Sequence, residues 1–237
     1  MKELSVILPV LNEEQIITPV IADIKKVLDQ EKIDYELVLV DNGSQDGSSK
    51  VISDLASADK RLVVVHTPLK GWGRAIILGW KKANGKYVAH MPSDGQVNPV
   101  SLVELLALLW QQNADIAKIK RVTRESLLRS VNSKIYNLIA NLLFNIKVTD
   151  TNGCPKMFAR VLVKKFDIQS LDSFLDLELL VKARFLRLRI VEIETKGLPR
   201  TGGVSNTSML TVLEFLNNMI KFRFSSYLKS WKNSVNG

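Results

Sequence analysis

The sequence contains little that would cross-link the chain or carry it through a membrane. Cys154 is the only cysteine among 237 residues, which excludes a disulfide within the chain and agrees with a reducing compartment. No uncharged apolar run approaches the roughly 18–20 residues that a membrane-spanning helix needs. The start of the chain also lacks the charged segment and cleavage site of a signal peptide. We therefore expect a cytoplasmic protein, with peripheral attachment to the cytoplasmic membrane face as the alternative.

Acidic residues are scarce in the second half of the chain. Residues 1–117 carry 12 Lys and Arg against 15 Asp and Glu, whereas residues 118–237 carry 21 against 9. The formal net charge of +9 therefore arises entirely from the second half. This asymmetry favours an anionic partner, such as a phosphorylated substrate, an anionic membrane surface or a nucleic acid. A merely solvated basic surface is the alternative.

The first half alternates strand and helix patterns. Apolar runs that are typical of buried strands fall at residues 4–10, 36–41, 62–66 and 86–91. Helical patterns fall between and after them, at residues 13–30, 46–58, 72–84 and 99–112. Alternation at this spacing predicts an α/β fold, with a mostly parallel sheet and helices on both of its faces.

The second half is less regular. It offers strand patterns at 115–119 and 189–194, helical patterns at 135–146 and 173–185, and a glycine-containing loop at 197–206. Beyond this loop, apolar residues recur at helical spacing from Met209 to Trp231 with lysines and an arginine between them. We expect one domain over residues 1–206. An amphipathic C-terminal helix over 207–237 would pack on the domain or lie at a membrane surface.

Four short motifs follow one another at the ends of predicted strands, at residues 6–13, 38–44, 70–75 and 93–96. In an open α/β sheet, ligands bind at the carboxyl ends of the strands. Asp41 could accept hydrogen bonds from a base or a ribose, or it could simply shape its turn. Asp94 and Gln96 offer the oxygen ligands that Mg²⁺ and Mn²⁺ prefer, or Asp94 could be an acid at a helix entry.

Glycines and basic residues complete the candidate phosphate contacts. Gly71 and Gly73, in the motif that begins at Lys70, could let a helix N-terminus approach phosphates, although ordinary turn chemistry explains them equally well. Basic residues crowd the start of the second half, and Arg200 lies in the glycine-containing loop. Arginine is suited to forked contacts with phosphate oxygens. A solvated charged face is the alternative for such a cluster.

Together, these motifs resemble those of family 2 glycosyltransferases with the GT-A fold, most of all the dolichol-phosphate mannose synthase and polyprenyl-phosphate glycosyltransferase branch. The resemblance extends over about residues 3–206 and includes three further segments. Residues 150–158 are similar to the family pattern D-x-x-x-G-F-[RK]-x-F, and residues 173–180 to its F-D-x-E-L-L helix. The segment from residue 191 to 205 is similar to its closing elements. The resemblance implies a Rossmann-like GT-A fold with a C-terminal amphipathic helix.

The resemblance also implies residue roles. Nucleotide-binding residues would be Pro9, Asn12, Glu13, Asp41 and Lys70. Asp94 and Gln96 would hold Mg²⁺ or Mn²⁺, and Asp94, Arg121 and Arg200 would be catalytic. Arg129, Lys156 and Ser205 would contact phosphates of the donor or the acceptor, together with Arg121 and Arg200. Asp176 or Glu178 would face the sugar or shape its pocket. The sequence departs from the family at Pro92, which replaces the first acid of the usual Asp-x-Asp, and at Pro155, which replaces an aromatic residue.

The resemblance implies an inverting, metal-dependent transfer of a sugar from a GDP- or UDP-sugar to a polyprenyl or dolichyl phosphate. The basic second half favours a phosphate acceptor, and a membrane surface is a further candidate partner. Two alternatives remain: a soluble transferase that acts on a sugar or protein hydroxyl, and an inactive module that only binds sugar nucleotides. No recognised nucleic-acid motif is present, so we expect no nucleic-acid partner.

Overall fold

The computed structural model describes residues 1–122, 127–195 and 209–236 and shows an α/β fold in these ranges. The strands are β1 (Leu4–Val10), β2 (Tyr35–Asn42), β3 (Leu62–Thr67), β4 (Tyr87–His90), β5 (Ile116–Arg121), β6 (Lys156–Ala159) and β7 (Ile190–Thr195). The helices are α1 (Ile17–Gln30), α2 (Ser48–Ala58), α3 (Trp72–Lys82), α4 (Val100–Gln111), α5 (Leu127–Phe144), α6 (Val161–Phe166), α7 (Leu175–Phe185), α8 (Met209–Arg223) and α9 (Ser226–Asn236).

The strands form one sheet in the order β3-β2-β1-β4-β6-β5-β7. Neighbouring strands run parallel throughout β3-β2-β1-β4 and between β5 and β7, which confirms the prediction of a mostly parallel sheet. β6 is antiparallel to both of its neighbours. The sequence reading missed this strand because its four residues lie inside a motif that was interpreted only as a ligand-binding segment.

Apolar side chains cover both faces of the sheet. Along β1, Ile7 belongs to one hydrophobic core, whereas Val6 and Leu8 belong to the other. Successive side chains of a strand point to opposite faces, so these two cores lie on opposite sides of the sheet. Helices α1 and α4 contribute to the Val6 side, and α3 and α7 to the Ile7 side. Such two-sided burial is characteristic of parallel sheets and confirms the expected layers.

The C-terminal segment forms two helices rather than the single one that the sequence predicted. The hydroxyl of Ser225 accepts a hydrogen bond from the backbone N–H of Leu228 at 3.1 Å, which caps the start of α9. Leu228 and Trp231 are buried in the core on the Ile7 side. The indole N–H of Trp231 donates to the carbonyl of Lys165 at 3.1 Å. The apolar face of α9 therefore packs on the domain.

None of the helices in the described ranges is long and apolar enough to cross a membrane. α5, with 18 residues, buries Tyr136, Ala140 and Phe144 in the core on the Ile7 side and directs two asparagines toward residues 148–151. The carboxamide oxygen of Asn137 accepts from the N–H of Thr151 at 2.8 Å, and Asn141 donates to the carbonyl of Val148 at 2.9 Å. α5 therefore packs one face into the core, contacts residues 148–151 along its flank and leaves Leu138 and Leu142 exposed.

Candidate active site

The carboxyl ends of β1, β2 and β4 meet at one edge of the sheet. Val10 is paired with Asp41 in the parallel register, and β4 leads directly into the segment that holds Ser93. The Ser93 hydroxyl is buried within hydrogen-bonding distance of the Pro9 carbonyl, at 2.6 Å, and of the Glu13 carboxylate. The segment after β4 is thereby joined to the segment after β1. The structure thus brings together Pro9, Glu13 and Asp41, as the sequence predicted, and sets the loop of Asp94 beside them.

Asp41 is nearly buried at the end of β2. Its carboxylate accepts from the N–H of Ser44 at 3.0 Å and lies 3.3 Å from Nδ1 of His66. Burial acts to raise the pKa of Asp41, but the hydrogen bonds from Ser44 and His66 outweigh it and hold the pKa below its usual range. Asp41 is therefore an ionised acceptor at neutral pH, suited to a ring N–H or a ribose hydroxyl.

Asn12 connects the loops that follow β1 and β2. Its backbone lies in the left-handed region, with φ of 56°, and its side-chain oxygen accepts from the N–H of Gln45 at 2.8 Å. The Asn12 N–H donates to the Ser44 hydroxyl at 3.2 Å. Lys70 is exposed beside the turn at Gly43, which follows Asp41. Asn12 and Lys70 are therefore both placed at the turn that carries Asp41.

Asp94 and Gln96 form a partly exposed loop after β4. Oδ1 of Asp94 accepts from the backbone N–H of Gln96 at 3.1 Å. The carboxylate and amide oxygens of these two residues are hard donors of the kind that bind Mg²⁺ or Mn²⁺. Their chemistry and partial exposure fit a cation that is shared with a diphosphate.

The glycines of the Lys70 motif have a packing role. A Cβ at Gly71 would lie 2.5 Å from the carbonyl oxygen of Leu171, and one at Gly73 would lie 2.2 Å from that of Ser170. The N–H of Arg74, on the first turn of α3, donates to the Leu171 carbonyl at 3.0 Å. The start of α3 is thus pressed against residues 170–172. The ordinary structural explanation of these glycines, which the sequence left open, is the one that these contacts support.

Lys156, His90 and Asp176 form a buried polar cluster between β4, β6 and α7. His90 and Lys156 are paired in the antiparallel register. Oδ1 of Asp176 lies 2.5 Å from the ammonium of Lys156 and 3.2 Å from Nε2 of His90. Its other oxygen accepts from the indole N–H of Trp72 at 3.3 Å. Sequence reasoning placed Lys156 at a phosphate, whereas the structure buries its ammonium against a carboxylate.

Charge within this cluster is balanced. Burial acts to raise the pKa of Asp176, but the neighbouring Lys156 and the hydrogen bond from His90 hold it well below its usual range. Burial acts in the opposite direction on Lys156, and the adjacent Asp176 outweighs it, so the lysine pKa is raised. Both groups are therefore ionised at neutral pH, and each is the principal neutralising partner of the other.

His90, Cys154 and Asp176 also have the spacing of metal ligands. One ligand atom from each lies within 4.8 Å of the others, close enough to hold a metal ion. However, the ammonium of Lys156 lies 3.4 Å from the Cys154 sulfur and 2.5 Å from Asp176. Burial raises the pKa of the Cys154 thiol to about 12, which keeps it protonated. The Lys156 ammonium therefore already contacts two of these three donors, and a metal ion would have to displace it.

Glu178 occupies a different environment from Asp176. The two residues are two positions apart on α7 and so point to nearly opposite sides of the helix. The Glu178 carboxylate is buried and accepts from the Ser170 N–H at 2.9 Å and from the Tyr227 hydroxyl at 2.7 Å. It also pairs with Lys182 at 2.7 Å. The structure thus corrects the expectation that Glu178 lies at the acceptor pocket, because its contacts join α7 to α9 and to the segment before α7.

Arg121 lies at the carboxyl end of β5 and is held by a forked ion pair. Its Nε and a terminal nitrogen donate to the two carboxylate oxygens of Asp150, at 2.9 and 3.0 Å. About a third of the Arg121 side chain remains exposed. Arg129 lies in the first turn of α5, with its side chain outside the described part, and Arg200 and Ser205 lie outside the described residues altogether.

The sequence analysis gave no role to three residues that the structure places here: Ser93, His66 and His90. Ser93 connects the ends of β1 and β4, His66 lies against Asp41, and His90 binds Asp176. Each follows or ends a predicted strand, and that position was the signal that could have identified them. Their partners come from other strands or from α7, so only the folded chain reveals the contacts.

Comparison with known proteins identifies the family. The model for glycosyl transferase family 2 matches residues 5–166. Undecaprenyl-phosphate 4-deoxy-4-formamido-L-arabinose transferases from Aeromonas hydrophila and Proteus mirabilis are 23% and 26% identical over 222 residues. Each match covers 92% of this chain and 67% of the relative. The chain also shares its fold with glucosyl-3-phosphoglycerate synthase from Mycobacterium tuberculosis, which was crystallised with Mn²⁺, UDP and glucosyl-3-phosphoglycerate. The TM-score is 0.70 and the sequence identity is 21%, and the match covers 94% of this chain and 80% of that one. Since the family model matches well over half of the chain, this protein belongs to glycosyl transferase family 2 and is a glycosyltransferase.

Proposed function

We propose that the protein transfers a sugar from a UDP-sugar to the phosphate of a polyprenyl lipid, with inversion at the anomeric carbon. The observation that carries this proposal is the meeting of Asp41, Glu13 and the Asp94 loop at one edge of the sheet. The names of the curated relatives support an undecaprenyl-phosphate acceptor. The UDP found in a structural neighbour favours UDP over GDP in the donor.

The donor nucleotide would bind at the ends of β1 and β2. Asp41 is ionised and nearly buried, so it would accept a hydrogen bond from the base or the ribose. Pro9, Asn12 and Glu13 would form the adjoining wall, and the exposed ammonium of Lys70 would approach the anionic donor. The contacts among Asn12, Ser44 and Gln45 hold this wall in place before any ligand arrives.

The diphosphate would lie at the loop after β4. Asp94 and Gln96 would hold Mg²⁺ or Mn²⁺ there, and the bound cation would offset negative charge on the leaving diphosphate. Pro92 supplies no carboxylate, so the protein offers less negative charge here than the usual Asp-x-Asp. We therefore expect weak cation binding by the free protein and tighter binding together with the donor.

The acceptor phosphate would be positioned by arginines. An oxygen of the acceptor phosphate would attack the anomeric carbon as the bond from that carbon to the diphosphate breaks, releasing nucleoside diphosphate. Arg121, fixed by Asp150 and partly exposed, would bind phosphate oxygens together with Arg129, Arg200 and Ser205. A phosphate monoester with a second pKa of about 6 is largely ionised at neutral pH and needs no strong general base.

The state of Asp176 favours a phosphate acceptor over a hydroxyl acceptor. A hydroxyl acceptor would need a carboxylate to take its proton, and Asp176 and Glu178 are the two candidates that the resemblance offers. Lys156 and His90 lower the pKa of Asp176 and occupy one of its oxygens. A carboxylate in this state is a poor base. Asp176 would instead fix Lys156 and Trp72 beneath the sugar site.

The first test is calorimetric titration with UDP-, GDP- and dTDP-sugars, with and without Mn²⁺. We expect Mn²⁺-dependent binding of the UDP-sugar, and we expect Asp94→Asn to weaken it by about a hundredfold. Asp54→Asn, at an exposed acid on α2, is the matched control and should bind as the wild type does. If the donor binds tightly, and its affinity changes neither when Mn²⁺ is removed nor in the Asp94→Asn variant, the assigned metal site is contradicted.

The second test compares polyprenyl phosphate with the corresponding polyprenol. We expect release of nucleoside diphosphate only with the phosphate. Turnover with the alcohol alone, or with a soluble sugar, would favour a hydroxyl-acceptor enzyme. Donor binding without turnover on any acceptor would favour an inactive binding module.

A further inference from the structure

One face of α5 exposes a row of large apolar side chains. Val131, Ile135, Leu138 and Leu142 follow one another at intervals of four, three and four residues, which places them along one side of the helix. Leu142 is 82% exposed and Leu138 is 68% exposed. Single exposed apolar residues are ordinary on a protein surface, but an aligned row of four is a mark of an interaction site.

α8 extends this surface. Ile220 and Phe224 are four residues apart, and both are largely exposed. α8 lies beside α5, because Arg223 donates to the carbonyl of Leu143 at 3.2 Å and the rings of Phe144 and Phe222 are 5.9 Å apart. Phe224 directly follows α8. We call these six residues the α5–α8 ridge: Val131, Ile135, Leu138, Leu142, Ile220 and Phe224.

The segments that carry the ridge contain few acids and several bases. α5 contains no Asp or Glu, and Glu214 is the single acid in the sequence of α8. Exposed basic side chains accompany the ridge: Lys134 and Lys147 in and after α5, and Lys221 and Arg223 on α8. Long basic side chains can extend their charged ends to lipid headgroups while their stems cover apolar surface. An apolar face flanked by more basic than acidic residues is complementary to an anionic lipid bilayer.

We infer that the α5–α8 ridge docks the protein on an anionic lipid bilayer. The inference rests on the proposed function, because a polyprenyl phosphate is held in a bilayer and the enzyme must reach it there. It assigns docking to α5 and α8. The apolar residues Leu228 and Trp231 of α9, which the sequence also offered to a membrane, are already buried in the domain core.

The inner side of α5 relates the ridge to the acceptor site. Asn137 binds the N–H of Thr151, next to the Asp150 that holds Arg121. The helix that exposes the ridge thus also contacts, through Asn137, the segment that holds Arg121. Docking through α5 would therefore hold the acceptor site close to the headgroup region.

The test is flotation of the full chain with vesicles of phosphatidylcholine, alone or mixed with phosphatidylglycerol. We expect the wild type to float with the mixed vesicles and to be released by salt. The double variant Leu138→Glu/Leu142→Glu should lower the bound fraction by about tenfold, because it places charges on the face that enters the lipid. Val161→Glu, at an apolar residue of α6 that is 71% exposed, is the matched control and should bind as the wild type does.

A second variant and two further measurements separate the possible failures. Lys134→Glu/Lys221→Glu should weaken binding to mixed vesicles at low salt, with unchanged circular dichroism. If both double variants bind vesicles as well as the unmodified protein does, the inference is overturned. It is also overturned if the unmodified protein sediments as a dimer and Leu138→Glu/Leu142→Glu dissociates that dimer. Turnover of a short, water-soluble polyprenyl phosphate tests the proposed function by itself: ridge variants should retain it. Wild-type turnover without vesicle binding would overturn docking alone, and vesicle binding without turnover would overturn the proposed function alone.

Discussion

The ammonium of Lys156 lies 2.5 Å from Oδ1 of Asp176, with neither side chain appreciably exposed to solvent. This ion pair connects β6 to α7, and His90 extends it to β4. Opposite charges that are buried together depend on each other, because either one alone would be left unpaired in a medium of low polarity. The pair therefore holds α7 against β6, in the centre of the sheet. Its partner His90 is the last residue of β4, the strand that leads to Asp94.

We expect Asp176→Asn to lower the free energy of unfolding by about 3–5 kcal/mol, because it leaves Lys156 as an uncompensated buried charge. Urea denaturation followed by circular dichroism measures this loss. The double variant Lys156→Met/Asp176→Asn should recover part of the lost stability, since it also removes the orphaned charge. Asp54→Asn, which removes an exposed charge, should leave the denaturation midpoint unchanged. Equal midpoints for Asp176→Asn and the wild type would show that the pair does not stabilise the fold.

Asp41 should contribute to the loss of stability in acid. Its pKa is lowered in the folded protein, so its contribution is present above its unfolded pKa of about 4 and is lost as the pH falls through the lower folded value. Thermal melting over a series of pH values should therefore show a shallower acid slope for Asp41→Asn than for the wild type. Asp59 and Asp176 also have lowered pKa values, so the slope should decrease without disappearing. An unchanged slope would contradict the assigned hydrogen bonds.

Trp231 should be the main anchor of α9. It is 4% exposed, it donates to the carbonyl of Lys165, and its ring lies 5.0 Å from the ammonium of Lys182. We expect Trp231→Ala to reduce the free energy of unfolding by about 3–5 kcal/mol. Trp110→Ala provides a matched control, because Trp110 is 51% exposed and should cost much less. Similar losses for the two variants would argue against docking of α9 on the domain.

Gly73 should be intolerant of a side chain for steric reasons. A Cβ there would lie 2.2 Å from the carbonyl oxygen of Ser170, so Gly73→Ala should cost about 1–3 kcal/mol by forcing α3 away from residues 170–172. Lys81→Ala, on the exposed part of the same helix, serves as the comparison. If Gly73→Ala has the stability of the wild type but no longer binds the donor, that result would instead support a role for this glycine at phosphates.

Local sequence patterns were sufficient for much of the fold and for the positions of Asp41 and Asp94 relative to the strands. Asp41 and Asp94 follow apolar runs, and the end of a buried parallel strand is a position that periodicity and turn residues reveal. Other expectations depended on partners that are distant in sequence. Lys156 was assigned to a phosphate by its position in the family motif, and only the packing of α7 against β6 showed that Asp176 neutralises it. Gly73 offered two explanations until residues 170–172 were found against it.

The sequence by itself determined the alternation of strands and helices, the edge at which polar residues collect, and the excess of basic charge in the second half. These properties follow from periodicity and composition, which are local. Tertiary structure decided that Glu178 faces α9, that the chain breaks at Ser225 to form two helices, and that α5 and α8 expose the apolar ridge. Each of these depends on which surfaces are covered by other elements, and a side chain's burial is a property of the whole packed chain.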